Sequence, residues 1–121
     1  MAQSDFVDQL KALGLDVQDA GDGKICVPYV IPLGPRRGTA VKLGFVGLND
    51  FPAVPPACLH ISPGLLPINT TGGAHPNAGI HLSPSFGQDW QYWSRPINHW
   101  ASTKRTARDV LAHINHLFDT L

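Results

Sequence analysis

Three prolines within five positions, Pro52, Pro55 and Pro56 of the run Phe51-Pro-Ala-Val-Pro-Pro, constrain this chain more than any other feature. Each fixes its own φ at about −65° and lacks an N–H to donate. Each also pushes the residue before it toward extended backbone. A segment that has lost three donors cannot be a central strand. It suits a crossing that leaves a sheet edge, with Phe51 as its apolar anchor.

The stretches on either side read as helix, then strands, then helix. Phe6, Val7, Leu10 and Leu13 recur at helical spacing behind Ser4, a candidate N-cap, and Gly14 supplies a left-handed stop. After the turn at 19–23, Ile25, Val27, Tyr29 and Ile31 alternate with the period of two expected of a half-buried strand. Pro28 and Pro32 argue for an edge position there. Val41, Leu43 and Phe45 alternate beyond the turn at 34–38, and Leu59 with Ile61 supplies a third strand, completing an antiparallel meander. Pro, Gly, Asn, Ser and Thr dominate residues 62–87, which predicts an irregular loop and the place where function resides. Thr103 is the expected N-cap of a closing helix whose apolar face comprises Ala107, Val110, Leu111, Ile114, Leu117, Phe118 and Leu121. That face should pack on the sheet. The expected architecture is one α+β domain over residues 1–121.

Composition narrows the function classes. With 43% apolar residues among 121, the chain can bury one real core but not two. Nine basic and nine acidic residues cancel when the six histidines are neutral, so nothing in the net charge attracts nucleic acid or an anionic membrane. The N-terminus has neither a basic region nor an apolar one of signal type, and no run reaches the roughly eighteen apolar residues of a membrane span. A cytoplasmic location is the expectation. Cys26 and Cys58 sit in strand-like apolar surroundings without metal-ligand spacing, and both are read as reduced.

After the proline-locked segment come His75-Pro76-Asn77 and then Gly79-Ile80-His81-Leu82. Together, and in this order, the three pieces resemble the core of a ubiquitin-conjugating (E2) domain. Its members carry an aromatic-Pro-x-x-Pro-Pro turn, an HPN tripeptide and a strand end reading G-x-I-C-L whose cysteine holds the activated ubiquitin. The resemblance runs from about residue 43 to the end. The run Asp89-Trp-Gln-Tyr-Trp-Ser-Arg-Pro, followed by Trp100, is similar to one that follows the active-site loop in a bacterial branch of the superfamily, the "family E" type. The resemblance implies a UBC-like fold with an N-terminal helix, β-meander, irregular active-site-like loop and C-terminal helix. It also implies an E1-like activating enzyme and a ubiquitin-like protein as partners, with no cofactor. Two spacings depart from the pattern: His75 and His81 are only six positions apart, and the stretch from Pro56 to His75 is longer than usual.

On this resemblance His81 stands where the family has its carrier cysteine, His75 is architectural, and Asn77 is the residue whose side-chain amide would stabilise the oxyanion. An amide donor aimed at a developing oxyanion is sound chemistry. Pro-Asn-Ala-Gly is equally an ordinary turn in which Asn satisfies local backbone. A thiolate forms a persistent thioester, whereas imidazole would form a labile acyl-imidazole. Ser83 or Ser85, activated by His81, could instead form an oxyester. Cys58, at the start of a strand, reads as a core thiol. Phe51, Pro55, Pro56, Trp90, Tyr92, Trp93 and Arg95 are the expected binding residues, with the tryptophans alternatively pinning the loop and last helix to the sheet. Three function classes follow: a divergent conjugating enzyme using His81, a catalytically silent E2 variant that binds ubiquitin-like protein, and a metal-dependent hydrolase built on His60, His75, His81 and His99. No spacing among those histidines, nor between His113 and His116, specifies a metal site, and none is assigned.

Overall fold

The computed structural model describes residues 2–56, 59–65, 79–83, 86–94 and 97–120. The N-terminal helix α1, Ala2–Ala12, buries Phe6 and Leu10, one turn apart, with Val7 packed beside them. Gly14, at φ 86°, ends it with its N–H on the Lys11 carbonyl. Ser4 is not the N-cap expected of it, because the helix begins at Ala2 and Ser4 falls inside the first turn.

Among the described residues six strands follow: β1 (Gln18–Gly21), β2 (Lys24–Val30), β3 (Ala40–Phe45), β4 (Leu59–Ser62), β5 (Ile80–Leu82) and β6 (Gln91–Trp93). All pairings are antiparallel, in the order β1-β2-β3-β4-β6-β5. β2, β3 and β4 form the expected meander, and β1 adds a fourth strand where a turn was expected from residue 19, the turn itself being confined to the residues between Gly21 and Lys24. The last two form a hairpin that enters in reverse, so that β5 lies outside β6. Residues 62–87 are therefore not wholly irregular, since β5 falls among them; residues 66–78 lie outside the described part. Nor is β2 an edge strand, being paired with β1 and β3. Pairing with β1 stops at Cys26, however, so Pro28 sits where β2 has lost that neighbour. There a missing donor costs no ladder bond.

Period-two alternation sends Ile25, Val27, Val41, Leu43, Phe45, Leu59, Ile61, Ile80 and Trp93 to one face of the sheet, where both helices cover them. Phe6 of α1 packs edge-on against Phe45 at 5.1 Å and Phe51 at 5.0 Å, and Phe51 meets Trp100 at 6.1 Å. Trp100 lies in a 3-10 turn (Trp100–Ser102), and its indole N–H donates to the Pro52 carbonyl at 2.9 Å. The proline-locked segment is thus clamped between the two helical ends of the chain.

The closing helix α2, Ala107–Asp119, turns Ala107, Val110, Ile114 and Phe118 into the core, with Leu111 and Leu117 at its margin; Leu121 lies outside the described residues. Its N-cap is Thr106, not the expected Thr103. The Thr106 hydroxyl accepts from the Asp109 N–H while the Asp109 carboxylate accepts from the Thr106 N–H, a reciprocal capping box. The Thr106 hydroxyl also donates to the Asp109 carboxylate at 2.7 Å, and this bond first, then that from the Thr106 N–H, holds the Asp109 carboxyl below its ordinary range. Thr103 serves the preceding turn, its hydroxyl donating to the Trp100 carbonyl. The Ala107 N–H, another donor that a helix start leaves unpaired, donates to Gln9 Oε1 of α1 at 2.7 Å. Thr106→Ala and Gln9→Ala should each lower stability by about 1 kcal/mol. Because both bonds hold the same helix start, the double variant should depart from the sum of the two losses by ~0.5 kcal/mol or more, measured as shifts in urea midpoint at constant m-value.

Candidate functional site

On the face of the sheet opposite the helices, alternation predicts solvent exposure, and at the rim it is obeyed: Pro28 and Lys42 are exposed. In the middle it fails. Cys26, Gly44 and His60 are all buried, and they form one cross-strand row that continues to Tyr92 and His81. Something must cover this row. Over Gly44 and His60 the cover comes from the loop of the last hairpin, through its described residues Ser83, Phe86 and Trp90.

That loop closes on itself through Ser83 N–H to the Trp90 carbonyl at 3.1 Å, and through the Phe86 and Gly87 N–H groups to the Ser83 carbonyl at 3.1 and 3.2 Å. Phe86 stacks on Trp90 at 4.9 Å between ring centroids and on His60 at 4.5 Å. The rings stand over Gly44, where a β-carbon would come within 2.6 Å of Phe86 and 2.9 Å of Trp90. Glycine at position 44 is therefore a matter of space: it leaves a flat patch of backbone on which two aromatic rings rest. The Lys24 ammonium lies 5.6 Å from the Phe86 centroid, on the ring face.

At the centre, His60 Nδ1 and Ser83 Oγ are 2.7 Å apart, with Ser83 only 3% exposed. Burial, reinforced by the positive charge of Lys24, lowers the His60 pKa from 6.5 to about 4, so the ring is neutral near pH 7. Tyr92 separates the two histidines of the row, 4.9 Å from His60 and 5.9 Å from His81. Burial pushes the Cys26 thiol up, partly offset by Lys42. Beside the loop the outer face opens into a cleft of about 540 Å³ along Pro28, Lys42, Ser62 and Trp90.

The expected site residues disperse over this frame. His81 is half-buried on β5 against Tyr92. Ser83, expected to partner His81, is engaged by His60 instead, because the chain turns back over the sheet at that residue. Tyr92 and Trp90 belong to the outer-face cluster. Phe51 and Trp93, expected as binding residues, are 2% and 1% exposed and serve the core, as Trp100 does; Pro55 is half-buried and Pro56 buried. His75, Asn77, Arg95, Cys58 and Ser85 lie outside the described residues. Of the metal-hydrolase set, His75 lies outside the described residues, and among the described residues no three His, Cys, Asp or Glu side chains are grouped to hold an ion. His99 is near His113, at 6.3 Å, not near His60 or His81 by any described contact.

Comparison with family models, with curated proteins and with solved structures finds no match to this chain. Function must therefore be argued from the residues. A Ser–His pair at hydrogen-bond distance is the first half of a nucleophile-and-base arrangement. Here the hydroxyl is under the loop, and an imidazole of lowered proton affinity is a weak base. The pair is structural: it satisfies two buried polar groups and ties the loop to β4. Sequence reasoning weighed His60 only as a metal ligand and passed over Gly44 and Phe86. The available signal was a glycine inside an otherwise apolar strand, Leu43-Gly44-Phe45, which marks a close approach.

Gly44→Ala should cost ~1–3 kcal/mol through overpacking and shift the Trp90 emission as the loop lifts. Adding Phe86→Leu should recover a measurable part of the loss, seen as a non-additive term in a double-mutant cycle by thermal denaturation.

Proposed function

We propose that this chain is a divergent E2-like component of a ubiquitin-like conjugation system, one that binds an E1-like activating enzyme and a ubiquitin-like protein without itself carrying the acyl group. Support for the first half comes from the ordered run of Phe51-Pro-Ala-Val-Pro-Pro, His75-Pro76-Asn77 and Gly79-Ile80-His81-Leu82. An N-terminal helix, a four-strand meander and a closing α-helix accompany that run in the order the resemblance implies.

The observation that carries the second half is the placement of Ser83. If His81 were to pass an acyl group on, or to activate a neighbouring hydroxyl, Ser83 is the described hydroxyl nearest in sequence, and it is buried and held by His60. His81 is left with Tyr92 as its ring partner. An acyl-imidazole there would hydrolyse readily, unlike a thioester. This geometry favours a binding module over a transferase.

Mixing the protein with the activating enzyme, the ubiquitin-like protein and ATP separates the alternatives. A stable non-covalent complex, with no mass increment on denaturing mass spectrometry, is the expected result. An adduct sensitive to hydroxylamine and lost in His81→Ala would replace the silent module with a transferase. A reductant-labile adduct lost in Cys58→Ala would do the same through a different residue. Absence of both complex and adduct would remove the E2-like reading altogether.

A further inference from the structure

The cleft of about 540 Å³ on the outer face is built from described residues throughout. Pro28, Lys42 and Ser62 stand directly opposite one another on β2, β3 and β4 and form its floor, with Pro63 beside them and residues 87–90 as the wall. Lys42 and Asp89, one from the floor and one from the wall, are both exposed, and neither is ion-paired among the described residues. Trp90 supplies the sharper observation. The indole N–H of Trp93 donates to Gln91, and that of Trp100 to the Pro52 carbonyl. The Trp90 N–H meets no acceptor among the described residues; since none of their buried side-chain nitrogens is left unpaired, it is open to solvent. Its pyrrole edge lies beside Gly87 in the cleft wall, where a β-carbon would come within 3.0 Å of Cδ1 and 3.5 Å of Nε1, while the six-membered edge rests over Gly44. An indole fixed by its far edge, with its donor unspent at the wall of an open cleft, is a preorganised hydrogen-bond site.

The architecture limits what can lie there. The floor is the face of three paired strands, so an incoming strand finds no ladder to extend. Three apolar rings with Lys42 among them are too few to bury the apolar face of a helix. A polyproline II segment suits the same surface: its carbonyls are all free to accept, and its side chains pack on aromatic surfaces. One turn of three residues, about 9 Å, matches the roughly 10 Å spanned by three neighbouring strands.

We infer that this cleft binds a proline-rich segment of another protein in polyproline II conformation, with a backbone carbonyl accepting from the Trp90 indole N–H, an acidic side chain at Lys42 and a basic one at Asp89. The two free charges of opposite sign select against uniformly acidic or uniformly basic segments and fix the direction of the bound chain. The inference is independent of the function proposed above.

NMR titration of the isotope-labelled protein tests this, with the Trp90 indole N–H resonance identified by its loss in Trp90→Phe. The probes are synthetic oligoproline peptides carrying Glu at one end and Lys at the other, in both orders, and a control in which Gly and Ser replace the prolines. The expected result is a saturable shift of the Trp90 indole N–H with at least one order of charges, while those of Trp93 and Trp100 stay in place. The Gly–Ser control, which must be ordered on binding, should bind about tenfold more weakly. Trp90→Phe, which keeps a ring but no donor, should weaken binding about fivefold, read from the backbone amides of Lys42 and Ser62. Lys42→Glu, a change at an exposed position, should weaken it about fivefold and regain it with a peptide whose Glu is replaced by Lys. No shift of the Trp90 resonance at about 1 mM peptide overturns the inference, as does equal binding of the Gly–Ser control. Binding that Lys42→Glu leaves unchanged, or that the charge-swapped peptide fails to restore, overturns it as well. Shifts of the same resonances on raising the protein concentration without peptide would assign the cleft to a second copy of the chain and overturn it too.

Discussion

Everything in this molecule hangs on the contact of Phe51 with Phe6 and Trp100. Phe51 opens the proline-locked crossing, Phe6 is the inward residue of the first helix, and Trp100 belongs to the turn that precedes the last one. Three segments that are distant in sequence meet in one aromatic cluster, with Phe45 adding the sheet itself. Edge-on packing of this kind contributes beyond the area it buries. The Trp100 bond to the Pro52 carbonyl gives the crossing a polar tie as well, useful in a segment whose prolines cannot donate. With this cluster in place, the helices cover one face and leave the other to be closed by different means.

The closure of that second face sets this fold apart from a plain two-layer domain. A sheet covered by helices on one side normally leaves the other wet, with polar residues alternating outward. Here the outward row is Cys26, Gly44 and His60, of which the first two offer water little to bind, and the final hairpin lays Phe86 and Trp90 over Gly44 and satisfies His60 through Ser83. The result is two packed regions sharing one sheet: a large helical one, and a small aromatic one in which the His60–Ser83 pair and the rings of Phe86 and Trp90 over Gly44 hold the loop. Regions with few buried contacts open at lower free energy than the core.

Much of the helical half was legible from the sequence. Val41, Leu43 and Phe45, or Ala107, Val110, Ile114 and Phe118, announce their buried face because periodicity is a local property of the chain. Helix starts were less legible: Ser4 and Thr103 are good capping residues, yet the helices begin elsewhere. For α2 the decision lay in the reciprocal Thr106–Asp109 pair, which needs both residues at once. The outer face was least legible. His60 reads as a polar intruder in a strand until Ser83 arrives from 23 positions away to satisfy it. The tryptophan-rich run divided its labour in a way its spelling does not reveal, because Trp90 and Trp93 fall on opposite faces. Trp93 enters the core as a strand residue, and Trp90 stacks in the loop.

Gly44 has a consequence that reaches beyond this one chain. A side chain at position 44 and the aromatic rings at 86 and 90 compete for one small volume above β3. In any relative that keeps the loop folded over the sheet, substitution at 44 can be accepted only with smaller side chains at 86 or 90, or with a loop that leaves the face. The three positions should therefore drift together over evolutionary time, although some forty residues of chain separate the first from the other two.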